Sequence, residues 1–246
     1  MEWDIRYAAE TGSTNEDACT LGRAGAPEGI VCVADTQRSG RGRMNRVWFS
    51  PPGVGLYCSV LLRPALPLSG AGLLSFCAAM AMTDCLRALG LPAGIKWPND
   101  VVCGGRKLCG ILSVCEGESG RLRFAVIGSG LNLRAGSYPE ELAARAACME
   151  DFGIMADRKT LLDDYLNRLE AFVSRLVREG FSALRPALEE RCILLSRPVR
   201  VTGGQQAEGL AVGIGDEGEL LIREEDGTLR AVICGDVSVR GVNSYV

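Results

Sequence analysis

The residues from Ala34 to Pro51, ADTQRSGRGRMNRVWFSP, hold Arg38, Arg41, Arg43 and Arg46 within nine positions, with Gly40 and Gly42 between them and Trp48-Phe49 near the end. Glycines loosen such a segment and like charges at this density repel, so it is expected to order when an anion neutralises it. A phosphate-bearing ligand is the first candidate. The alternative is a solvated basic loop, which would have no use for the aromatic close. Three other clusters could share the chemistry. Thr11-Gly12-Ser13-Thr14-Asn15 puts hydroxyls at the mouth of a helix, where free N–H groups bind a polar head or a carboxylate, or where Ser13 is simply a cap. Lys96-Trp97-Pro98-Asn99-Asp100 leads into Gly104-Gly105-Arg106-Lys107-Leu108-Cys109-Gly110-Ile111. This hairpin sets Lys107 beside a strand whose Gly110 leaves a ligand room against the backbone. Ile127-Gly128-Ser129-Gly130-Leu131-Asn132 offers small residues for close approach and ends on Asn132, for a ligand or for a turn. The chain has no histidine, so catalysis must rest on Lys, Arg, Asp, backbone amides, a metal or the substrate itself.

Positioning these residues takes a mixed α/β body. Ser13 with Glu16 three residues on reads as a capping box opening a helix. Gly29–Asp35 and Val54–Leu62 read as strands, and Gly70–Leu89 as a helix apolar over most of its surface, hence central. Ala93–Trp97, Val101–Cys103, Lys107–Glu116 and Arg123–Gly128 supply further strands, with Gly104-Gly105 as a tight turn. Thr160–Glu179 carries Leu161, Leu162, Tyr165, Leu166, Leu169, Phe172, Val173, Leu176 and Val177 on one face and stops at Gly180; another helix covers Ser182–Cys192. After Ser196 five short β-rich segments (Val199–Thr202, Gly209–Ile214, Glu219–Arg223, Leu229–Cys234, Val237–Arg240) follow one another across tight turns, the pattern of a small barrel.

Composition narrows the function classes. The 246 residues are 47% hydrophobic and 23% charged, with a net charge of −3; the basic loop is therefore local, and a general nucleic-acid binder is disfavoured. The 11 cysteines form no Cys-x-x-Cys pair and lack histidine partners for a mixed zinc site, so they are expected to be small buried hydrophobes in a reducing cytosol. The N-terminus, MEWDIRY, does not resemble a signal peptide, and Asp84 and Arg87 interrupt the longest apolar run, Gly70–Leu91. A soluble cytoplasmic protein with no membrane partner is expected.

Taken in order, the motifs resemble those of the biotin protein ligases, also called biotin–[acetyl-CoA-carboxylase] ligases. The match runs through Thr11–Asn15, the GRGR loop with Trp48-Phe49-Ser50-Pro51, Lys96–Asp100, Arg106-Lys107-Leu108-x-Gly110-Ile111 and Gly128-x-Gly130-x-Asn132. It continues through Arg197-Pro198-Val199 and Gly235-Asp236-Val237-Ser238. The resemblance implies an α+β fold: a mixed β-sheet with helices packed on one side, as in class II aminoacyl-tRNA synthetases and biotin ligases, over residues 1–195. A small C-terminal SH3-like β-barrel would follow over 196–246. It implies activation of biotin by MgATP to biotinyl-5′-AMP and pyrophosphate, then transfer to one lysine of a biotin carboxyl carrier protein or domain, of acetyl-CoA carboxylase or another biotin-dependent carboxylase.

By the same resemblance Lys107, Arg41 and Asp100 are the catalytic candidates, and Ser13, Thr14, Asn15, Gln37, Gly40, Arg41, Lys107 and Gly110 meet biotin. Arg43, Trp48, Asn132 and Lys107 meet ATP or the adenylate, with Trp48 against adenine, and Asp100 and Asn132 serve Mg²⁺. Where the family pattern has a further glycine after GRGR, this chain has Asn45, the side chain best tolerated at positive φ. The ligase motifs start almost at Met1, so the N-terminal DNA-binding domain of the repressor-type members, and DNA binding with it, are not expected; a homodimer is possible. Two rival readings stand beside this one: a lipoate–protein ligase, which would want a more apolar pocket and lacks the GRGR loop, and a non-enzymatic sensor or RNA-binding module using the arginines.

Overall fold

A computed structural model describes residues 1–235 and 237–241; Asp236, part of the C-terminal motif named above, lies outside the described residues. The chain opens with β1 (Asp4–Thr11), α1 (Thr14–Arg23), β2 (Ile30–Gln37), β3 (Gly55–Leu62) and α2 (Leu73–Ala88). Then come β4 (Gly94–Lys96), β5 (Asp100–Cys103), β6 (Arg106–Glu118) and β7 (Arg121–Asn132), followed by α3 (Arg158–Glu179) and α4 (Phe181–Arg191). The seven strands form one sheet in the order β1-β2-β3-β7-β6-β5-β4, parallel between β1 and β2 and antiparallel elsewhere.

Every strand expected from sequence in this body is present, with ends shifted by a few residues, but β1 was not foreseen. It is an edge strand, mostly exposed, in which Asp4, Arg6 and Glu10 alternate with Ile5, Tyr7 and Ala9, a period-two signal that was overlooked. Strand β7 runs on to Asn132 rather than stopping at Gly128. Its small residues pair across to Gly110 and Ser59 (Gly130↔Gly110, Gly128↔Ser59).

Helices cover both faces of the sheet, which corrects the expectation of one. The apolar alternation of β2, β3 and β7 explains why. Val31, Val33, Val60, Leu62, Ala125 and Ile127 join the main core with α2, α3 and α4. Ile30, Cys32, Leu61, Phe124 and Val126 point the other way and are covered by Ala18 and Cys19 of α1. Burying such side chains is worth about 1.5–3 kcal/mol each for the larger ones, so neither face is left to water. Gly22 of α1 makes this docking close: a Cβ there would sit 2.8 Å from the Phe124 ring. Helix α2 is buried along nearly its whole length. The stretch Leu68–Ala88 is long and apolar enough to cross a membrane by length and composition, yet its apolarity is that of a core helix packed on α3 and the sheet. Nine of the 11 cysteines are buried, none in a disulfide, as hydrophobes should be.

The C-terminal strands β8 (Pro198–Gly203), β9 (Ala207–Ile214), β10 (Leu220–Arg223), β11 (Leu229–Val232) and β12 (Val237–Gly241) form an antiparallel sheet ordered β11-β10-β9-β8-β12. The closed barrel expected here is not found: β11 and β12 stand at opposite edges among the described residues. The Ile233 N–H just after β11 is taken by the Gln205 side chain at 2.9 Å instead of a strand partner. This sheet docks on the first body through Trp97, whose Nε1–H donates to Gly218 O at 2.9 Å. Val199, Val201, Ala211, Ile222 and Val239 belong to the same continuous core as α2 and α3.

Candidate active site

A cavity of about 540 Å³ opens where the loop after β2, the β4–β6 hairpins, the 137–146 segment and β12 converge. Arg41, Arg43, Arg46, Lys96, Lys107, Arg145 and Arg240 line it, against one carboxylate among the described residues, Asp100. Such a ring of cations around a partly enclosed space lowers the energy of bringing anions into it.

One end of the cavity is floored by α1 and the central strands. Ser13 and Thr14 are buried. Ser13 is the N-cap of α1, but its side chain makes no cap hydrogen bond; the expected capping box is absent, because Glu16 pairs outward with Arg41 at 3.0 Å. The Thr14 N–H and hydroxyl both donate to Gln37 Oε1, at 2.9 and 3.1 Å. Beneath them the fully buried Ser59 hydroxyl lies 2.7 Å from Thr14 Oγ1 and 2.6 Å from Asn15 Oδ1. Asn15 Nδ2 donates to Leu112 O at 3.3 Å. The Asn15 amide is thus engaged by the protein at both ends, seated where a Cβ on Gly128 would come within 2.7 Å of its Cγ.

At the cavity's centre Lys107 Nζ lies 2.6 Å from Asp100 Oδ1, with side chains 25% and 18% exposed. The Lys107 backbone is clamped on both sides: its N–H donates to Arg145 O at 2.7 Å and its carbonyl accepts from Ala147 N–H at 2.9 Å. Opposite Asp100 in the β4–β5 register stands Lys96, 5% exposed. Burial pulls its ammonium down to about 8; nearby Asp100 pulls it up, and the positive Lys107, Arg240 and Arg46 add to the fall. The Trp97–Pro98 peptide between these strands is cis. Asn99 Nδ2 donates to Ile111 O at 2.7 Å and its Oδ1 accepts from Arg43 at 2.9 Å.

The arginine loop follows a defined path, held by protein groups. Arg38 lies 3.4 Å from Glu10 and Arg41 pairs with Glu16. Gly42 N–H donates to Arg46 O at 2.7 Å and Trp48 N–H to Gly40 O at 2.8 Å, closing a small hairpin. Asn45 does sit at positive φ (55°), and so does Met44 (57°). The Trp48 indole lies on the sheet over Gly110 and Gly130: a Cβ on either would come 3.0 Å from Cζ3 or 2.5 Å from Cε2. Lys107 Nζ is 5.2 Å from the ring centroid, a cation–π distance. The room that Gly110 leaves against the backbone is therefore filled by Trp48.

Ser13, Thr14, Asn15, Gln37, Arg41, Arg43, Trp48, Asp100, Lys107, Gly110 and Asn132 all line this cavity. Gly40 does not. It is packed where a Cβ would meet Ser50 Oγ at 2.8 Å, so its role is to let the loop close. Asn132 is 3% exposed and donates to Ala147 O at 2.9 Å, so half of its amide is spent in the protein. Sequence reasoning gave no role to Lys96 or Asn99, although both stand in a motif it singled out. It missed Tyr138, Leu142 and Arg145, in a stretch without periodicity, and Arg240, which the fold brings in from β12.

The pattern of the Biotin/lipoate A/B protein ligase family matches residues 9–132, and that of the Biotin protein ligase C terminal domain matches residues 195–240. The chain belongs to this family, among the biotin protein ligases. It is 35% identical over 242 residues to the biotin–[acetyl-CoA-carboxylase] ligase of Mycobacterium tuberculosis, covering 95% of this chain and 88% of that one. To the bifunctional ligase/repressor BirA of Bacillus spizizenii it is 34% identical, over 97% of this chain and 75% of that protein. The structure of the biotin protein ligase from Aquifex aeolicus in complex with biotin and ATP superposes with a TM-score of 0.83 at 29% identity, over 97% and 99% of the two chains.

Proposed function

We propose that this cavity joins biotin to the α-phosphate of ATP and then hands the biotinyl group to a lysine of a biotin carboxyl carrier protein or domain. The observation that carries the reading is the set of seven cations that, among the described residues, face one carboxylate around the clamped Lys107. In the first step a biotin carboxylate oxygen bonds to the α-phosphorus while the bond to the β-phosphate bridging oxygen breaks and pyrophosphate leaves. Two anions must meet, and Lys107, a compact charge on a stiff strand, neutralises both at the reacting centre. Ser13, Thr14 and Gln37 take the ureido head, which offers one acceptor and two donors. In the second step the acceptor amine attacks the mixed-anhydride carbonyl, AMP leaves, and Asp100 orients the incoming ammonium and accepts its proton.

Mg²⁺ fits as an ion brought by the nucleotide and not as one held in a protein cage. Among the described residues no three His, Cys, Asp or Glu side chains form a metal site, and Asp100 is the one carboxylate in the lining. Asp100, with Asn132 beside the cavity, would complete a shell made mostly of phosphate oxygens and water. The ion would screen charge on the phosphates. Incubating the protein with biotin, MgATP and a carrier domain should add one biotin mass to one lysine; no increment, with the carrier folded and ATP present, sinks the reading.

Trp48, lying over Gly110 and Gly130, would stack on adenine. Gly130→Ala drives a methyl into the indole, so the KM for ATP should rise about tenfold, as for loss of one base-stacking contact. The thermal midpoint should also fall somewhat, since the indole must shift to admit the methyl. An unchanged ATP KM would take Trp48 out of the nucleotide site.

A further inference from the structure

Ser50, one residue before Pro51 at the end of the arginine loop, has no part in the chemistry above, yet hydrogen bonds branch from it. It is 4% exposed. Its hydroxyl accepts from Gln37 Nε2 at 2.9 Å and donates to Trp48 O at 3.1 Å. Its carbonyl accepts from the Thr36 hydroxyl at 2.8 Å and from Gln37 N–H at 3.2 Å. The direction of these bonds is forced. A carbonyl can only accept, so the Ser50 hydroxyl proton is spent on Trp48, and the Ser50 oxygen is left to receive Gln37.

At the other end of the same amide, Gln37 Oε1 takes the N–H and the hydroxyl of Thr14. A primary amide has two acceptor positions and two N–H donors. Thr14 fills both acceptor positions and Ser50 takes one donor, so one N–H remains, on a side chain that lines the cavity. Glycine at position 40 is what lets these groups meet, since a Cβ there would stand 2.8 Å from Ser50 Oγ and 3.1 Å from Gln37 Nε2.

We propose that Ser50 is a positioning residue for the vitamin head: by holding one N–H of Gln37 it fixes the amide plane and leaves a single oriented donor for the ureido group. The proposal rests on the reading that Gln37 meets biotin. Because the same hydroxyl holds the Trp48 carbonyl, the head-binding amide and the indole-bearing arm of the loop share one anchor. Without it, the Gln37 amide pivots about its Thr14 end, and a ligand must order it on arrival.

The test is calorimetric titration of biotin alone into the full chain and three variants, with thermal unfolding alongside. Ser50→Ala is expected to weaken biotin binding about tenfold, the upper range for one neutral hydrogen bond, and to raise the KM for biotin. Ser50→Thr, which keeps the hydroxyl, should restore binding. Thr36→Val loosens the same loop base without touching the Gln37 amide, and should bind biotin like the parent. Parent-like biotin affinity in Ser50→Ala overturns the proposal. So does an equal loss in Thr36→Val, which would make Ser50 a mere brace for the loop. A parent protein that binds no biotin at all would instead sink the underlying reading of the site.

Discussion

Replacing Lys107 by alanine should cut biotin-dependent ATP–pyrophosphate exchange by roughly two to three orders of magnitude, the loss typical of one preorganised charged donor. The structure explains why a neighbouring cation should not compensate. Lys107 is held by backbone hydrogen bonds on both sides, from Arg145 and Ala147, so its ammonium is presented from a fixed strand. Arg41 and Arg43 sit on a loop and already pair with Glu16 and Asn99. Lys96 is two strands further out, on β4, buried beside Asp100. The substitution also removes from beside Asp100 a cation 2.6 Å away, so that its negative charge is less offset towards the arriving carboxylate and phosphate. Lys107→Ala combined with Asp100→Asn should therefore recover part of the exchange lost in the single variant, an interaction of the kind a double-mutant cycle isolates. Exchange at the parent rate in Lys107→Ala would remove this lysine from the reacting centre.

What could be read from the sequence, and what could not, divides along physical lines. Strong periodicity told true for α3, where seven of the nine apolar residues on one face are buried, Phe172 packs partly against the core, Val177 stays exposed, and Gly180 ends the helix at φ 78°. The Gly104-Gly105 turn and the strands on either side were equally legible, because both glycines need positive φ (55° and 75°). The capping box at Ser13 failed because a local rule met a long-range competitor: Glu16 is drawn to Arg41 on a loop far along the chain. The second covered face escaped notice because α1 is short and mostly polar. Only the pairing of β2, β3 and β7 reveals the apolar set that it must cover. The barrel misled in a similar way. Short strands and tight turns specify hairpins, but closure needs the edge strands β11 and β12 to pair, and among the described residues they stand at opposite edges.

At the site, residues standing in dense motifs were found, whereas those recruited by topology were not. Arg240 arrives on the last strand and Arg145 in an irregular stretch between β7 and α3. Ser59 lies at the centre of β3, where one hydroxyl among apolar neighbours carries no local signature of its place between Thr14 and Asn15. Gly110 and Gly130 were rightly read as permitting close approach, but only the fold shows that the group approaching is Trp48.

The arginine loop yields the second large effect. Arg43 joins three parts of the protein: its guanidinium donates to Asn99 Oδ1 at 2.9 Å, to the carbonyl of Gly235, and to that of Val237 at 3.3 Å. One side chain on the loop thus reaches both the β4–β5 connection and the C-terminal sheet, across the cavity that would hold the adenylate. A charged hydrogen bond contributes about 1.5–3 kcal/mol when its geometry is kept, and Arg43→Gly removes the whole set while restoring freedom to a loop already rich in glycine. Formation of biotinyl-AMP should survive, since Lys107 and the Thr14–Gln37 network are untouched. Its release should quicken by roughly 30- to 100-fold, in keeping with the loss of about one to two such bonds. The released anhydride would then acylate amines in bulk solution, because a closed site is what shields it from water and other nucleophiles. Two measurements separate closure from chemistry: pyrophosphate exchange, expected within a few-fold of the parent, and the decay of pre-formed protein-bound biotinyl-AMP after a chase with unlabelled biotin. Unchanged decay would mean that the loop stays shut without Arg43, and the contacts to Asn99 and the C-terminal strands would then be ornaments of a clamp held elsewhere.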